Sequence, residues 1–137
     1  MKLRCLGPDE APPDWIPALE RSVFGEAWGG LAPQELLWIL GEAAYARWSQ
    51  VPVVGEAELL RIAVDPAARR RGLGRRLLGL CERELHQNGI RSLHLEVRLS
   101  NIAAQALYEA VGWRRTGQRQ HYYRDGEDAV LYSKALG

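Results

Sequence analysis

Apolar residues recur at Leu73, Leu77, Leu80, Cys81 and Leu85, the three-and-four spacing of one helical face. The spacing predicts a helix over 72–88, with Gly89 placed to close it in a left-handed turn. From Ser92 the period becomes two: Leu93, Leu95 and Val97 alternate with His94, Glu96 and Arg98, as in a strand buried on one face. Residues 101–111 return to helical spacing, with Ser100 or Asn101 as cap and Gly112 as closer. Upstream, Ile16, Leu19 and Val23 predict a helix over 14–25 capped by Asp14. Leu36–Leu40 is too short for its period to decide. A strand is preferred to a short helix begun by Pro33, because Gly41-Glu42 suits a two-residue hairpin turn. The next strand would span 43–54, with a turn at 55–57 and a third strand over 59–64 ended by Asp65-Pro66. Residues 113–123 and 129–133 read as a last hairpin around Asp125-Gly126. The fold class is α/β, a mixed and mostly antiparallel sheet with helices on both faces.

A chain of 137 residues, 47% hydrophobic, fits one domain over 1–137 with its own core. No stretch approaches the roughly 20 apolar residues of a membrane span, and the first ten residues lack a signal-peptide core. A soluble cytoplasmic protein is the expectation. Cys5 and Cys81 form no paired motif, which argues against a disulfide framework or a zinc site, and no metal is expected. Cys81 falls on the apolar helical stripe and reads as a small core residue. Nothing indicates the oligomeric state.

Charge is divided unevenly. Residues 1–58 carry four bases against nine acids, a net of −5; residues 59–137 carry 14 bases against 8 acids, a net of +6. Five arginines fall within Arg69-Arg70-Arg71-Gly72-Leu73-Gly74-Arg75-Arg76, between a strand and the strongest helix. A helix start offers unpaired N–H groups, glycines admit a phosphate close to them, and arginines add charge-assisted hydrogen bonds. A dinucleotide fingerprint fails because Leu77 stands at the third glycine position, and a phosphate-binding Gly-Lys-Ser/Thr is absent. On the bare motif a phosphate-bearing cofactor, a nucleic-acid patch and a solvated helix start all remain open. The low overall basicity speaks against a nucleic-acid partner.

Arg69-x-x-Gly72-x-Gly74 resembles the Q/R-x-x-G-x-G/A loop of the GNAT superfamily of N-acetyltransferases. Leu60-Arg-Ile-Ala-Val-Asp-Pro66, Leu95-Glu-Val-Arg98, Ser100-Asn101, Ala106-Leu-Tyr-Glu109, Val111-Gly-Trp113, Tyr122-Tyr123 and Gly126-Glu-Asp-Ala129 extend the likeness across about 57–133. This set is similar to the ribosomal-protein alanine N-acetyltransferase (RimI) family. Residues 1–56 are only loosely similar: Phe24–Trp28 stands for a Phe-Pro-Trp motif without its proline, and 29–34 is short for a second helix.

The resemblance implies acetyl-CoA as acyl donor and a protein N-terminal α-amine as acceptor, the N-terminal alanine of a small-subunit ribosomal protein. It implies that the backbone of Ile62, Ala63 and Val64 pairs with pantetheine, and that Arg69, Arg70, Arg71, Gly72, Leu73, Gly74 and Arg75 hold the pyrophosphate. Asn101 would hydrogen-bond the cofactor, Glu96 would be the general base and Tyr108 the proton donor to the thiolate. Read on their own, these residues also fit a core strand, a helix cap, a partner for Arg98 or His94, and a packing tyrosine. In a strand, at most one of Tyr122 and Tyr123 would reach the substrate. Action on a small amine or lysine, an idle acyl-CoA-binding module and an arginine-rich nucleic-acid binder remain as other readings.

Overall fold

The computed structural model describes all residues from Met1 to Gly137. Seven strands form one sheet: β1 Leu3–Leu6, β2 Glu35–Leu40, β3 Ala44–Val51, β4 Glu56–Val64, β5 Ser92–Arg98, β6 Arg114–Arg119 and β7 Ala129–Ala135. Three helices accompany them: α1 Trp15–Phe24, α2 Leu73–Gln87 and α3 Ile102–Ala110. The sheet order is β1-β2-β3-β4-β5-β7-β6, and every pairing is antiparallel except β4 with β5. The one parallel join follows from α2, which carries the chain back across the sheet between those strands.

Two clusters divide the core by face. Leu77, Leu78, Cys81 and Leu85 of α2 pack with Trp48, Leu59, Leu93, Leu95, Val130 and Tyr108 of α3. On the opposite face Ile16 and Leu19 of α1 pack with Leu37, Ile39, Tyr45 and Ala63. Residues of β5 obey their alternation: Leu93, Leu95 and Val97 are buried on the α2 face, so His94, Glu96 and Arg98 point to the α1 face.

Several expectations need correction. β1 has no counterpart in the sequence reading, because four residues are too few to show a period. Asp14 precedes α1 but its side chain makes no capping hydrogen bond; its backbone is already helical. The β2–β3 turn has three residues, 41–43, since Leu40 pairs with Ala44. β3 stops at Val51 because Pro52 cannot donate to a ladder and starts a 3-10 turn over Pro52–Val54. β4 begins at Glu56, three residues before the expected start. Leu78 is fully buried where Leu80 was expected. Tyr122 and Tyr123 lie in the β6–β7 connection, outside both strands, so strand alternation does not govern them.

Between α1 and β2, residues 25–34 form no helix. Three buried charged side chains hold this segment. Arg47 donates to the carbonyls of Gly29 (3.2 Å) and Gly30 (2.8 Å). Glu35 accepts from Ala32 N (3.0 Å), and Glu20 accepts from Trp28 N (3.3 Å).

Candidate functional site

The pairing of β4 with β5 covers only Glu56–Leu59 against Ser92–Leu95, yet both strands continue, to Val64 and Arg98. The sheet therefore opens in its middle. Just there β4 carries a bulge: Arg47 pairs with Arg61 and Trp48 with Leu59, so Leu60 is the extra residue. The bulge reverses the parity of β4. Ala57 and Leu59 pack in the α2 cluster before it, Ile62 and Val64 after it, while Ala63 turns to the α1 face. Ile62, Ala63 and Val64 pair with Ala46, Tyr45 and Ala44 on one side only. Their other edge pairs with no strand and, apart from Val64 O, which accepts from Arg69 Nε, offers a row of backbone groups able to accept an added strand.

That edge borders a cavity of about 590 Å³. Its walls include Ile62, Ala63, Val64, Arg69, Arg70, Gly72, Leu73, Gly74, Arg75, Asn101 and Tyr108, together with Val23 and Phe24 of α1. The structure thus brings together all but two of the residues singled out by sequence. Arg71 does not line the cavity, and Glu96 lines another.

The cavity floor is the start of α2. Gly72, at φ +69, turns the chain in the left-handed region and has open space where a Cβ would stand. Arg76 N donates to Gly72 O, leaving the N–H groups of Leu73, Gly74 and Arg75 without a helical acceptor. Such a start favours an anion through both free donors and dipole. Gly74 differs: its φ is not positive, and a Cβ there would meet the Leu107 and Val64 side chains at 3.5 and 3.7 Å, ordinary van der Waals contact. Two arginines are partly committed. Arg69 Nε donates to Val64 O (3.4 Å), and Arg75 Nη2 to Ala110 O (3.4 Å), linking α2 to the end of α3. Arg70 adopts φ +65, a conformation that costs a branched-free L-residue about 1–2 kcal/mol.

Asn101 is the cap of α3, its Oδ1 accepting from Ala104 N at 3.1 Å. That use leaves its amide NH₂ for the cavity it lines. The Tyr108 ring is buried, 5.9 Å from Trp113 and 6.1 Å from Tyr132 between centroids. The residue lines the cavity, and its hydroxyl makes no hydrogen bond to another protein group. Burial pushes this phenol up to about 12, so it stays protonated through neutral pH.

Glu96 lies across the sheet opening, in a cavity of about 370 Å³ with Glu56, Glu58, His94, Arg119 and Ser133. Burial, and then the like charge of Glu96, raise the Glu58 carboxyl above its usual range. Hydrogen bonding to Glu96 likewise raises the Tyr122 hydroxyl. His94 Nδ1 meets Ser133 Oγ at 3.0 Å and Nε2 faces Glu56 Oε1 at 3.3 Å. The β6–β7 connection above is tied down by Arg98, which meets Asp125 and Glu127 at 2.8 and 2.9 Å and lies 4.1 Å from the Tyr123 ring centroid. Glu127 also accepts from Ser100 N at 2.7 Å. Sequence reasoning gave no role to Glu58, which lines this cavity with Glu96, or to Arg61, which packs on Phe24 on the α1 side, and named His94 only as a partner for Glu96. The signal was present in the pattern, because Glu58 and Arg61 interrupt the apolar run of β4.

The chain has known relatives in sequence and in fold. The pattern described as the acetyltransferase (GNAT) family matches residues 9–113. The ribosomal protein bS18-alanine N-acetyltransferase of Escherichia coli K12 is 50% identical over 82 residues, covering 58% of this chain and 55% of that protein. The N-alpha-acetyltransferase RimI of Mycobacterium tuberculosis is 45% identical over 103 residues, covering 72% and 61%. The chain thus matches little more than half the length of these curated relatives. The crystal structure of the ribosomal-protein-S18-alanine N-acetyltransferase from Escherichia coli superimposes with a TM-score of 0.78 at 32% identity, covering 99% of this chain and 95% of that one.

Proposed function

Because the chain belongs to the acetyltransferase (GNAT) family, we propose that it moves the acetyl group of acetyl-CoA to the α-amine of a protein N-terminus, foremost the N-terminal alanine of a small-subunit ribosomal protein. The acceptor is supported by the two relatives at 50% and 45% identity, both named for N-terminal or ribosomal-protein acetylation. The observation that carries the reading is the open β4 edge running into the free N–H groups of α2 within one cavity, with Tyr108 on its wall. A thioester on a phosphate-bearing arm needs both features. On this reading residues 1–137 work as one acetyltransferase domain in the cytoplasm, where ribosomal proteins are made.

The donor half would be held by backbone. Ile62, Ala63 and Val64 pair with the pantetheine amides. The N–H groups of Leu73, Gly74 and Arg75 take the pyrophosphate at the turn made by Gly72. Arg69 and Arg70 add direct contacts, and Arg71 adds charge from outside the cavity wall. Asn101 donates its amide to the cofactor.

The amine enters from the α1 face. Glu96 takes its proton as the nitrogen attacks the thioester carbonyl; the C–N bond forms, the C–S bond breaks, and Tyr108 protonates the departing thiolate. An α-amine suits a carboxylate base. It titrates near 7.7–8.0, against about 10.4 for lysine, so a sizeable fraction is neutral at pH 7.5.

The test is acetyl-CoA turnover over a panel of N-terminal peptides, with N-blocked peptides carrying a free lysine, and small amines, as controls. Thiol release that requires a free N-terminus is the expected result. Turnover confined to lysine or small amines overturns the acceptor, and tight CoA binding without turnover on any amine overturns the activity.

A further inference from the structure

Arg61 is the first β4 residue beyond the paired stretch that points to the α1 face, and Glu96 is its counterpart on β5. The two therefore flank the opening of the sheet on the side where the amine enters. Arg61 is not loose. Its guanidinium carbon lies 3.9 Å from the centroid of Phe24 and 4.6 Å from that of Trp28, and its Nη1 donates to the buried Glu20 at 3.4 Å. Glu20 is fixed in turn by the Tyr45 hydroxyl (2.8 Å) and by Trp28 N. Trp28 is also held by Arg47, 4.2 Å from the ring centroid. The clamp spends one of five N–H donors; Nε and Nη2 meet no protein acceptor, and the side chain is 23% exposed.

A rigid cation with a free donor edge opposite a base has an evident use. An N-terminal α-amine carries a carbonyl oxygen three bonds from its nitrogen, whereas a lysine amine ends a bare methylene chain. We propose that Arg61 is the residue that selects an α-amine, by donating from its free guanidinium edge to the first carbonyl oxygen of the acceptor. The inference rests on N-terminal acetyl transfer as the activity. Phe24 and Trp28 set the angle of the guanidinium, and Glu20 balances its charge so that the nearby amine is not repelled. In this way residues 25–34, which form no helix, take part in acceptor choice.

The experiment uses two acceptors: an alanine-led peptide, and its analogue with the first carbonyl reduced to a methylene. Each variant is compared with the unaltered protein on the same acceptor. Arg61→Met should lose roughly 10- to 100-fold in kcat/KM on the peptide, the scale of one charge-assisted hydrogen bond, and almost nothing on the analogue. The KM for acetyl-CoA should not move. Arg61→Lys keeps the charge but not the planar fork, so it should show the same split to a smaller degree and serves if the methionine variant melts early. Equal losses on both acceptors would mean that Arg61 only props the segment, and no loss would mean that it touches nothing. If the unaltered protein leaves the peptide untouched, N-terminal transfer fails at once and Arg61 loses its role with it, a result separate from any variant.

Discussion

Arg47 reaches from β3 to Glu35 on β2, with Nη2 2.6 Å and Nε 3.0 Å from the same carboxylate oxygen, both side chains almost wholly out of water. The remaining donors of Arg47 hold the carbonyls of Gly29 and Gly30, so the pair anchors the segment that stands where a second helix is missing. Removing one partner strands the other charge. Glu35→Leu or Arg47→Met should each cost about 3–5 kcal/mol in denaturant unfolding, while the double variant should cost clearly less than the sum. Additive losses would show that the two charges are uncoupled.

Glu96→Gln keeps shape and removes the base. With Glu96 as proton acceptor, kcat should drop about 10²–10⁴-fold while KM for acetyl-CoA stays put. A loss below about threefold would make Glu96 a bystander on the acceptor wall.

Tyr108→Phe separates packing from chemistry cleanly, because the hydroxyl has no protein partner to lose. The ring contacts with Trp113 and Tyr132 persist, so the melting temperature should hardly move. A kcat lower by roughly tenfold or more, at unchanged CoA affinity, is the expected outcome. Unchanged kcat would pass the proton-donor role to water.

The two glycines of the α2 start should respond differently. Gly74→Ala meets only ordinary contacts and should fold normally with CoA binding kept. Gly72→Ala forces a side chain into φ +69, costing about 1 kcal/mol or more, and puts a methyl group into the proposed phosphate cradle. Calorimetric titration with CoA should show the weaker binding for Gly72→Ala alone; equal affinities would remove Gly72 from the cradle.

Acid stability should depend on Glu127, whose carboxyl Ser100 and Arg98 hold down at about 2, below the ordinary 4.5. A depressed folded-state value means stabilisation that is complete above the ordinary value and is lost as pH falls from about 4.5 through about 2. Denaturant midpoints measured from pH 6 to 2 should therefore fall less steeply for Glu127→Gln than for the unaltered protein. Because the group is partly exposed, salt should narrow the gap. Parallel curves at low salt would contradict the linkage.

Periodicity exposed the elements that are long or strictly alternating. α2 and β5 stand within a residue of where Leu77, Cys81, Leu93 and Leu95 put them. Short elements escaped for want of a period: Leu3–Leu6 offers two side chains per face. The Leu60 bulge was visible in principle, since Leu59-Leu60 breaks the alternation and later apolar residues fall on even numbers. The opening between β4 and β5 was not, because it depends on where two distant segments stop pairing. For the same reason the resemblance that implied roles for Glu96 and Tyr108 did not show that the sheet stands between them. Glu20, Arg47 and Arg61 were hidden by their solubility as residue types: charges read as surface until their partners are known.

The seven strands are, in mechanical terms, two half-sheets stitched by four residue pairs, Glu56–Leu59 with Ser92–Leu95. The stitch lies at one end, so the halves are hinged like the covers of a book, with Glu96 and Arg61 on facing margins. Main-chain atoms line the gutter, and they are the same in every sequence. The α1-side margin can therefore be rewritten residue by residue to suit a new acceptor without touching the spine proposed to receive the donor.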